Sequence, residues 1–281
     1  MENSTTINPT DLRAVAEQAA LKAGVLLRQK WDQPREYSRK GFRDFVTDAD
    51  LASQFIITQE IQRHFPDHGF ITEEDDPRLP ASGPIQWIID PVDGTSNYSR
   101  QVPTFCISIG AMLAKEMPAG ETQRISNSDT NFLAGVIYDP MRDELFSAAV
   151  NAGSTLNGEI IQVSSTLTLD KALVGMDWSR EPEKRQSMIE SISRFAHQVH
   201  TIRATGSAAL ALAWVAAGRL DVYANLVIGP WDVAAAKVII QEAGGFVSGL
   251  GGQPWSLSET GCIASNGQLH SSFLELAQIS E

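Results

Sequence analysis

Ile85-Gln86-Trp87-Ile88-Ile89-Asp90-Pro91-Val92-Asp93-Gly94-Thr95 is the stretch from which the rest of this chain is read. A short apolar run ends in two carboxylates three residues apart, and a Gly-Thr step suited to starting a helix follows. Hard divalent cations such as Mg²⁺ take carboxylate and carbonyl oxygens. Phosphate takes free backbone N–H groups at a helix N-terminus. One segment offers both, which points to metal-dependent phosphate chemistry. The same residues also describe a plain strand ending in an acidic turn, because Asp and Gly punctuate strand ends.

With 281 residues, 43% hydrophobic and 20% charged, the chain has the composition of a globular protein with a sizeable core. The net charge of -12 repels polyanions and argues against nucleic acid or an acidic membrane surface as partner. An acidic protein that handles a phosphate ester must neutralise charge locally, and bound cations do this. Cys106 and Cys262 are too few for a disulfide framework or a cysteine zinc site, and both lie in apolar runs that predict buried thiols. Met1-Glu2-Asn3-Ser4-Thr5 has no basic start leading into an apolar stretch, and no apolar run approaches the roughly 20 residues of a membrane span. A cytoplasmic protein with no membrane contact is expected.

Thr10 and Asp11 offer N-cap chemistry for a helix to about Trp31, with Leu12, Val15, Ala16, Ala19, Ala23 and Leu26 on its buried face. A second helix is predicted from about Asp48 to His64, with Leu51, Phe55, Ile57, Ile61 and Phe65 inward and Pro66 as its stop. Residues 85–89, 105–113, 132–138 and 144–150 read as strands. The polar stretch 115–131 is long for a hairpin connection and reads as an exposed, mobile loop. Further on, 172–176, 200–203 and 220–226 read as strands, with helices at about 183–197 and 207–217. A last helix runs from Pro230 to the glycines Gly244-Gly245. The pattern changes near residue 151. A half of residues 1–150 then carries most candidate ligands, and a half of 151–281 carries Asp232 and the pocket residues, packed as one unit.

Three further acidic groups are unremarkable singly. Glu73-Glu74 after Phe70-Ile71-Thr72 could be a ligand and its neighbour, or a solvated loop leading into Asp75-Asp76. Val46-Thr47-Asp48-Ala49-Asp50 is adequately explained as a helix cap, and Trp231-Asp232 as a first helical turn. Their order changes this. The succession Val46-Thr47-x-x-Asp50, Glu73-Glu74, Asp90-Pro91-x-Asp93-Gly94-Thr95-x-Asn97-Tyr98, Trp231-Asp232-x-Ala234 and Glu242-Ala243-Gly244-Gly245 closely resembles the inositol monophosphatase family over nearly the whole chain.

The resemblance implies an α+β fold, an alternating α/β/α/β/α layered sandwich of the inositol monophosphatase and sugar phosphatase type. It also implies a Mg²⁺-dependent, lithium-sensitive phosphomonoesterase, commonly a homodimer. Carried over by residue, it implies that Glu73, Asp90 and the Val92 carbonyl hold a first metal, and that Asp90, Asp93 and Asp232 hold a second. A third, mostly hydrated ion would touch Glu73. Thr95, with Asp50 behind it, would orient the attacking water, and the Gly94 and Thr95 amides would cradle the phosphate. Gly206 and Ala208, within Arg203-Ala204-Thr205-Gly206-Ser207-Ala208, would line the pocket for the alcohol. None of the five histidines falls inside these motifs, in keeping with a metal-activated water.

Two positions depart from the pattern. Thr72 stands where a glycine usually precedes the two acids. Asn225, seven residues before Asp232, replaces the glutamate that grips substrate hydroxyls in inositol-hydrolysing members; Val227 stands where glycine is common. Inositol monophosphate is the first substrate expected. Fructose 1,6-bisphosphate, histidinol phosphate and 3′-phosphoadenosine 5′-phosphate are alternatives that the same carboxylates would serve. A catalytically silent phosphometabolite-binding regulator is the competing class, against which the complete carboxylate set speaks.

Overall fold

The computed structural model of the chain describes residues 7–33, 37–41, 44–114, 131–179 and 181–278. Helix α1 (Pro9–Lys30) is capped by Asn8 rather than by Thr10 or Asp11: Asn8 Oδ1 accepts the Thr10 amide at 3.2 Å. Pro9, which has no N–H to satisfy, then opens the helix. Leu12, Val15, Ala16, Ala19 and Ala23 are buried as expected, and Leu27 rather than Leu26 closes the stripe. Strands β1 (Tyr37–Gly41) and β2 (Asp44–Thr47) pair antiparallel and lead into α2 (Asp48–His64).

The inward face of α2 differs from the expectation. Ile57 and Ile61 are buried, but Leu51 and Phe55 are 53% and 55% exposed. Asp50, Ser53, Gln54 and Thr58 take the interior instead. Periodicity assigns the inside to apolar residues, whereas this helix turns a polar edge toward the loops that carry the candidate site.

Seven strands follow in one sheet: β3 (Gly69–Thr72), β4 (Ile85–Asp93), β5 (Cys106–Leu113), β6 (Phe132–Asp139), β7 (Glu144–Ala149), β8 (Ser154–Leu156) and β9 (Glu159–Ile160). They lie in chain order, β3 parallel to β4 and the others antiparallel, with the short helix α3 (Thr95–Ser99) between β4 and β5. The second sheet has the order β11-β10-β12-β14-β13, from β10 (Leu173–Met176), β11 (Thr201–Ala204), β12 (Val222–Asn225), β13 (Phe246–Ser248) and β14 (Cys262–Ser265). Its helices are α4 (Pro182–Phe195), α5 (Ala208–Ala216), α6 (Pro230–Glu242) and α7 (His270–Ala277). The sequence reading places β10 to β12 and α4 to α6 within a residue or two and does not foresee β1, β2, β8, β9, β13, β14 or α7. Residues 115–130, read as a mobile loop, lie outside the described residues.

The layers alternate as the fold class requires. Helices α1 and α2 cover one face of the seven-stranded sheet in an apolar cluster built on Leu12, Ile57, Trp87 and Tyr138. Helices α5 and α6 fill the space between the two sheets. Helices α4 and α7 close the outer face of the five-stranded sheet around Met188, Phe195 and Phe273. Helix α5, Ala-Ala-Leu-Ala-Leu-Ala-Trp-Val-Ala, is apolar all round, as a fully enclosed helix must be. The seven-stranded sheet takes its last strands from beyond residue 150, and α5 and α6 pack on it from the C-terminal half. Cys106 and Cys262 are free and buried. Among the described residues no helix is long and apolar enough to cross a membrane.

Two glycines seat α6. Gly110 on β5 and Gly135 on β6 are register partners. A Cβ at Gly135 would lie 2.2 Å from the Ala235 carbonyl oxygen, and one at Gly110 would lie 2.9 Å from Ala234 Cβ. The missing side chains let the helix backbone rest on the sheet, which brings the first turn of α6, and Asp232 with it, to the end of β4.

Candidate active site

Residues three apart on a regular strand point to opposite faces, yet Asp90 and Asp93 share one pocket. The ladder between β4 and β5 explains this. Asp90 pairs with Ser108 and Asp93 with Cys106, so β4 advances three residues while β5 advances two. The extra residue is a bulge, which re-aims the following side chain. Pro91 sits inside it, where the ladder needs no donor. Gly94, at φ +97°, then turns the chain sharply into α3.

Asp93 is buried at the N-terminus of α5, where its carboxylate accepts Ser207 Oγ at 2.6 Å, Ala209 N at 2.8 Å and Ala208 N at 3.2 Å. Cys106 Sγ adds a weak contact at 3.6 Å. Asp232, in the first turn of α6, accepts the Gly229 amide at 2.8 Å. The carboxylate oxygens of Asp90, Asp93 and Asp232 lie within 4.8 Å of one another. Burial raises all three above the usual carboxylate range. The charge of Glu73 and the two neighbouring aspartates pushes Asp90 further up, and Asp93 and Glu73 do the same to Asp232. The hydrogen bonds from Ser207, Ala209 and Ala208 pull Asp93 back down. Among the described residues no lysine or arginine forms an ion pair with any of the three. A buried cluster of hard oxygen donors that no described lysine or arginine neutralises fits a hard divalent ion such as Mg²⁺. Glu73 and Val92 line the same cavity, outside the tight cluster.

Asp50 serves two structures at once. Its Oδ2 accepts the Thr47 amide at 2.9 Å and the Thr47 hydroxyl, completing a capping box at the start of α2. Its Oδ1 faces the Thr95 hydroxyl at 3.1 Å. Thr95 Oγ1 also lies 3.2 Å from the Val92 carbonyl, and its single proton serves one acceptor at a time. Burial raises Asp50 to about 6 against the lowering effect of its hydrogen bonds from Thr47. One turn on, Ser53 Oγ donates to the Pro91 carbonyl at 2.9 Å and Gln54 Nε2 to the Glu74 carbonyl at 2.8 Å. The polar edge of α2 therefore ties the turn that carries Glu73 to the bulge that follows Asp90 on β4.

These residues surround a cavity of about 740 Å³. Of the sequence candidates, Glu73, Asp90, Val92, Asp93, Gly94, Thr95, Gly206, Ala208, Asn225 and Asp232 all line it, and Asp50 stands behind Thr95. Asp177, Trp178, Ser179, Glu181 and Arg185 line it too, and the sequence did not single them out. The one available signal was that Asp177 directly follows β10, because ligands in open sheets gather at strand ends.

The sequence profile of the inositol monophosphatase family matches residues 8–281. The chain belongs to that family. An inositol-1-monophosphatase from Synechocystis is 37% identical over 270 residues, covering 94% of this chain and 88% of the relative. The Nus factor SuhB of Escherichia coli K12 is 36% identical over 241 residues, 85% of each chain. The crystal structure of the extragenic suppressor protein suhB from Bartonella henselae superposes with a TM-score of 0.86 at 29% identity, covering 96% of this chain and all of that one.

Within this inositol monophosphatase fold, Thr72 donates its hydroxyl to the Glu74 carbonyl at 2.7 Å, the same oxygen that Gln54 holds. A side chain at this position thus braces the Glu73-Glu74 turn. Asn225 closes β12 at the cavity wall, nearly buried, with its amide hydrogen-bonded to Tyr223 and Val227.

Proposed function

We propose that this chain is a Mg²⁺-dependent phosphatase that hydrolyses phosphate monoesters of small polyols or sugars, with inositol monophosphate the reference substrate. The observation that carries the reading is the bulge that turns Asp90 and Asp93 into one pocket with Asp232, beside a threonine hydroxyl backed by a buried carboxylate. Glu73, Asp90, the Val92 carbonyl, Asp93 and Asp232 would hold the metal ions. Bound Mg²⁺ supplies charge neutralisation for the ester and activates the attacking water.

The protein groups do the positioning. Thr95, donating its proton to Asp50, leaves its oxygen lone pairs free to accept a hydrogen from water and aim it at phosphorus. The Gly94 and Thr95 amides open α3 toward the phosphate. Water adds to phosphorus, the bond from phosphorus to the alcohol oxygen breaks, and the alcohol leaves protonated. Asp93, fixed by α5, and Asp232, fixed by its own cap, keep the donor set rigid.

The test is phosphate release from inositol 1-phosphate and the alternative esters, with Mg²⁺ and with EDTA. EDTA-sensitive release is expected, and Asp90→Asn should abolish it while the protein stays folded. An Asp90→Asn variant with near-normal Mg²⁺-dependent turnover overturns the metal assignment. No EDTA-sensitive release from any ester would favour a non-catalytic role.

A further inference from the structure

The wall of the cavity built by the five-stranded sheet and α4 has its hydrogen-bond polarity fixed from behind. Asp177 accepts the Gly206 amide at 2.6 Å and Tyr223 Oη at 3.1 Å, and shares the Thr205 hydroxyl proton, at 3.1 Å, with the Ser207 carbonyl at 3.0 Å. Burial raises Asp177 to about 6, so it is ionised at neutral pH and can only accept. Tyr223 must therefore spend its one proton on Asp177. The remaining contact of Tyr223 Oη, 3.2 Å from Asn225 Nδ2, then has the amide as donor. Asn225 Oδ1 is correspondingly turned to the Val227 amide at 3.2 Å. This chain of donors leaves no freedom to flip the amide. Asn225, which lines the cavity, thus has its carbonyl engaged and one Nδ2 hydrogen left over.

Arg185 adds a second donor of the same kind. It is the only basic side chain lining the cavity among the described residues. Its Nε is pinned to the Ser179 carbonyl at 2.6 Å, and its terminal nitrogens have no partner among the described residues. A guanidinium is always charged and matches the oxygens of phosphate or carboxylate. The two other carboxylates on this wall do not compete for it. Asp177 is occupied by its three hydrogen bonds, and Glu181 is exposed at the rim.

The geometry points to a subsite on this wall in which the Arg185 guanidinium receives a second anionic group, phosphate or carboxylate, on the alcohol half of the substrate, with Asn225 lining the same cavity as a donor. Small bisphosphates or phosphorylated hydroxy acids are then preferred over monophosphates of uncharged polyols. This rests on the phosphatase reading above and narrows it: a carboxylate at position 225 would accept from hydroxyls, whereas this wall donates to anions.

Two readouts separate the inferences. Turnover with Mg²⁺ is compared for fructose 1,6-bisphosphate, 2-phosphoglycerate and inositol 1-phosphate. Binding of the same three esters is followed by calorimetry with Ca²⁺, which takes the same oxygen donors. The anionic esters are expected to lead in both, and the better of the two tells phosphate from carboxylate. Arg185→Gln should lower the ratio of anionic to uncharged ester by about tenfold or more, the scale of a lost charged hydrogen bond. Arg185→Lys should recover part of that ratio, and Asn225→Glu should tilt it toward inositol 1-phosphate. Equal or better handling of inositol 1-phosphate, or an Arg185→Gln ratio unchanged from wild type, overturns the subsite. If no ester is hydrolysed but the Arg185-dependent binding preference persists, the phosphatase reading falls and the subsite stands. If neither is seen, both fall.

Discussion

At the scale of single residues, Asp50 shows how a site can oppose the stability of its own fold. Its carboxyl titrates at about 6, raised by burial from an ordinary value of 3.8, so at pH 7 its ionised form is held against a desolvation cost. An acid raised in the folded state gains protons on folding, so the Asp50 contribution to stability rises as pH falls from about 6 toward 3.8. Asp50→Asn removes the charge but keeps a capping side chain. Its melting temperature at pH 7 should equal or exceed that of the wild type, while turnover falls about 10²–10⁴-fold, the range of a lost proton-handling group. A variant that melts much earlier would mean that the cap, not the charge, is what Asp50 provides. His68 works in the opposite sense. The Trp87 indole, which can only donate, donates to His68 Nδ1 at 3.0 Å, and burial lowers the imidazole to about 4. Protonation of the ring is resisted in the fold but not in the unfolded chain. The His68 contribution to stability should therefore fall as pH drops from 6.5 toward about 4, against the rising contribution of Asp50. His68→Gln should remove that contribution, so the variant's stability relative to wild type rises as pH falls through this range, and a difference that does not change with pH would refute the account.

At the scale of elements, the sequence was legible wherever a residue's neighbours in the chain settle its place. Helix α2 was located correctly because Thr47 and Asp50 cap it locally. Its inward face was misread because Ser53 and Gln54 answer to carbonyls of Pro91 and Glu74, far along the chain. The acids of the candidate site could be named from their order. The bulge that makes Asp90 and Asp93 neighbours could not, because it exists only against β5. Asp177 stayed hidden for the same reason: its partners are Gly206 and Tyr223, on other elements. The seating of α6 is of this non-local kind and can be tested. Gly135→Ala would put a methyl group 2.2 Å from the Ala235 carbonyl oxygen, which backbone must yield to. We expect a loss of about 1–3 kcal/mol, as for overpacked cores. Metal affinity should weaken too, because Asp232 moves with the helix. A variant with normal stability and normal Mg²⁺ binding would show that α6 does not rest on the glycine pair.

At the scale of the whole molecule, a chain of net charge -12 gathers several buried acids around one cavity, so the metal binding proposed there would be linked to folding. Burial raises Asp90, Asp93 and Asp232, with mutual repulsion adding to Asp90 and Asp232. In metal-free protein these groups favour protonation, so their contribution to stability grows as pH falls toward the unfolded carboxylate value. Mg²⁺ held there, as proposed, would take the deprotonated forms and compete with those protons. The stabilisation by Mg²⁺ should accordingly be larger at pH 8 than at pH 5.5. Histidine terms such as that of His68 are common to both members of each comparison and cancel in the difference between Mg²⁺ and EDTA. At an ion concentration about 100 times its dissociation constant the gain is about 2.7 kcal/mol. For a chain of this size that is a shift of roughly 5–10 °C. Thermal melts at the two pH values, each with Mg²⁺ and with EDTA, read the effect without any substrate. Asp232→Asn should shrink the shift at pH 8, since it removes one ligand and one repelling charge together. A shift of equal size at both pH values, or one that survives Asp232→Asn undiminished, would place the ion somewhere other than between these carboxylates.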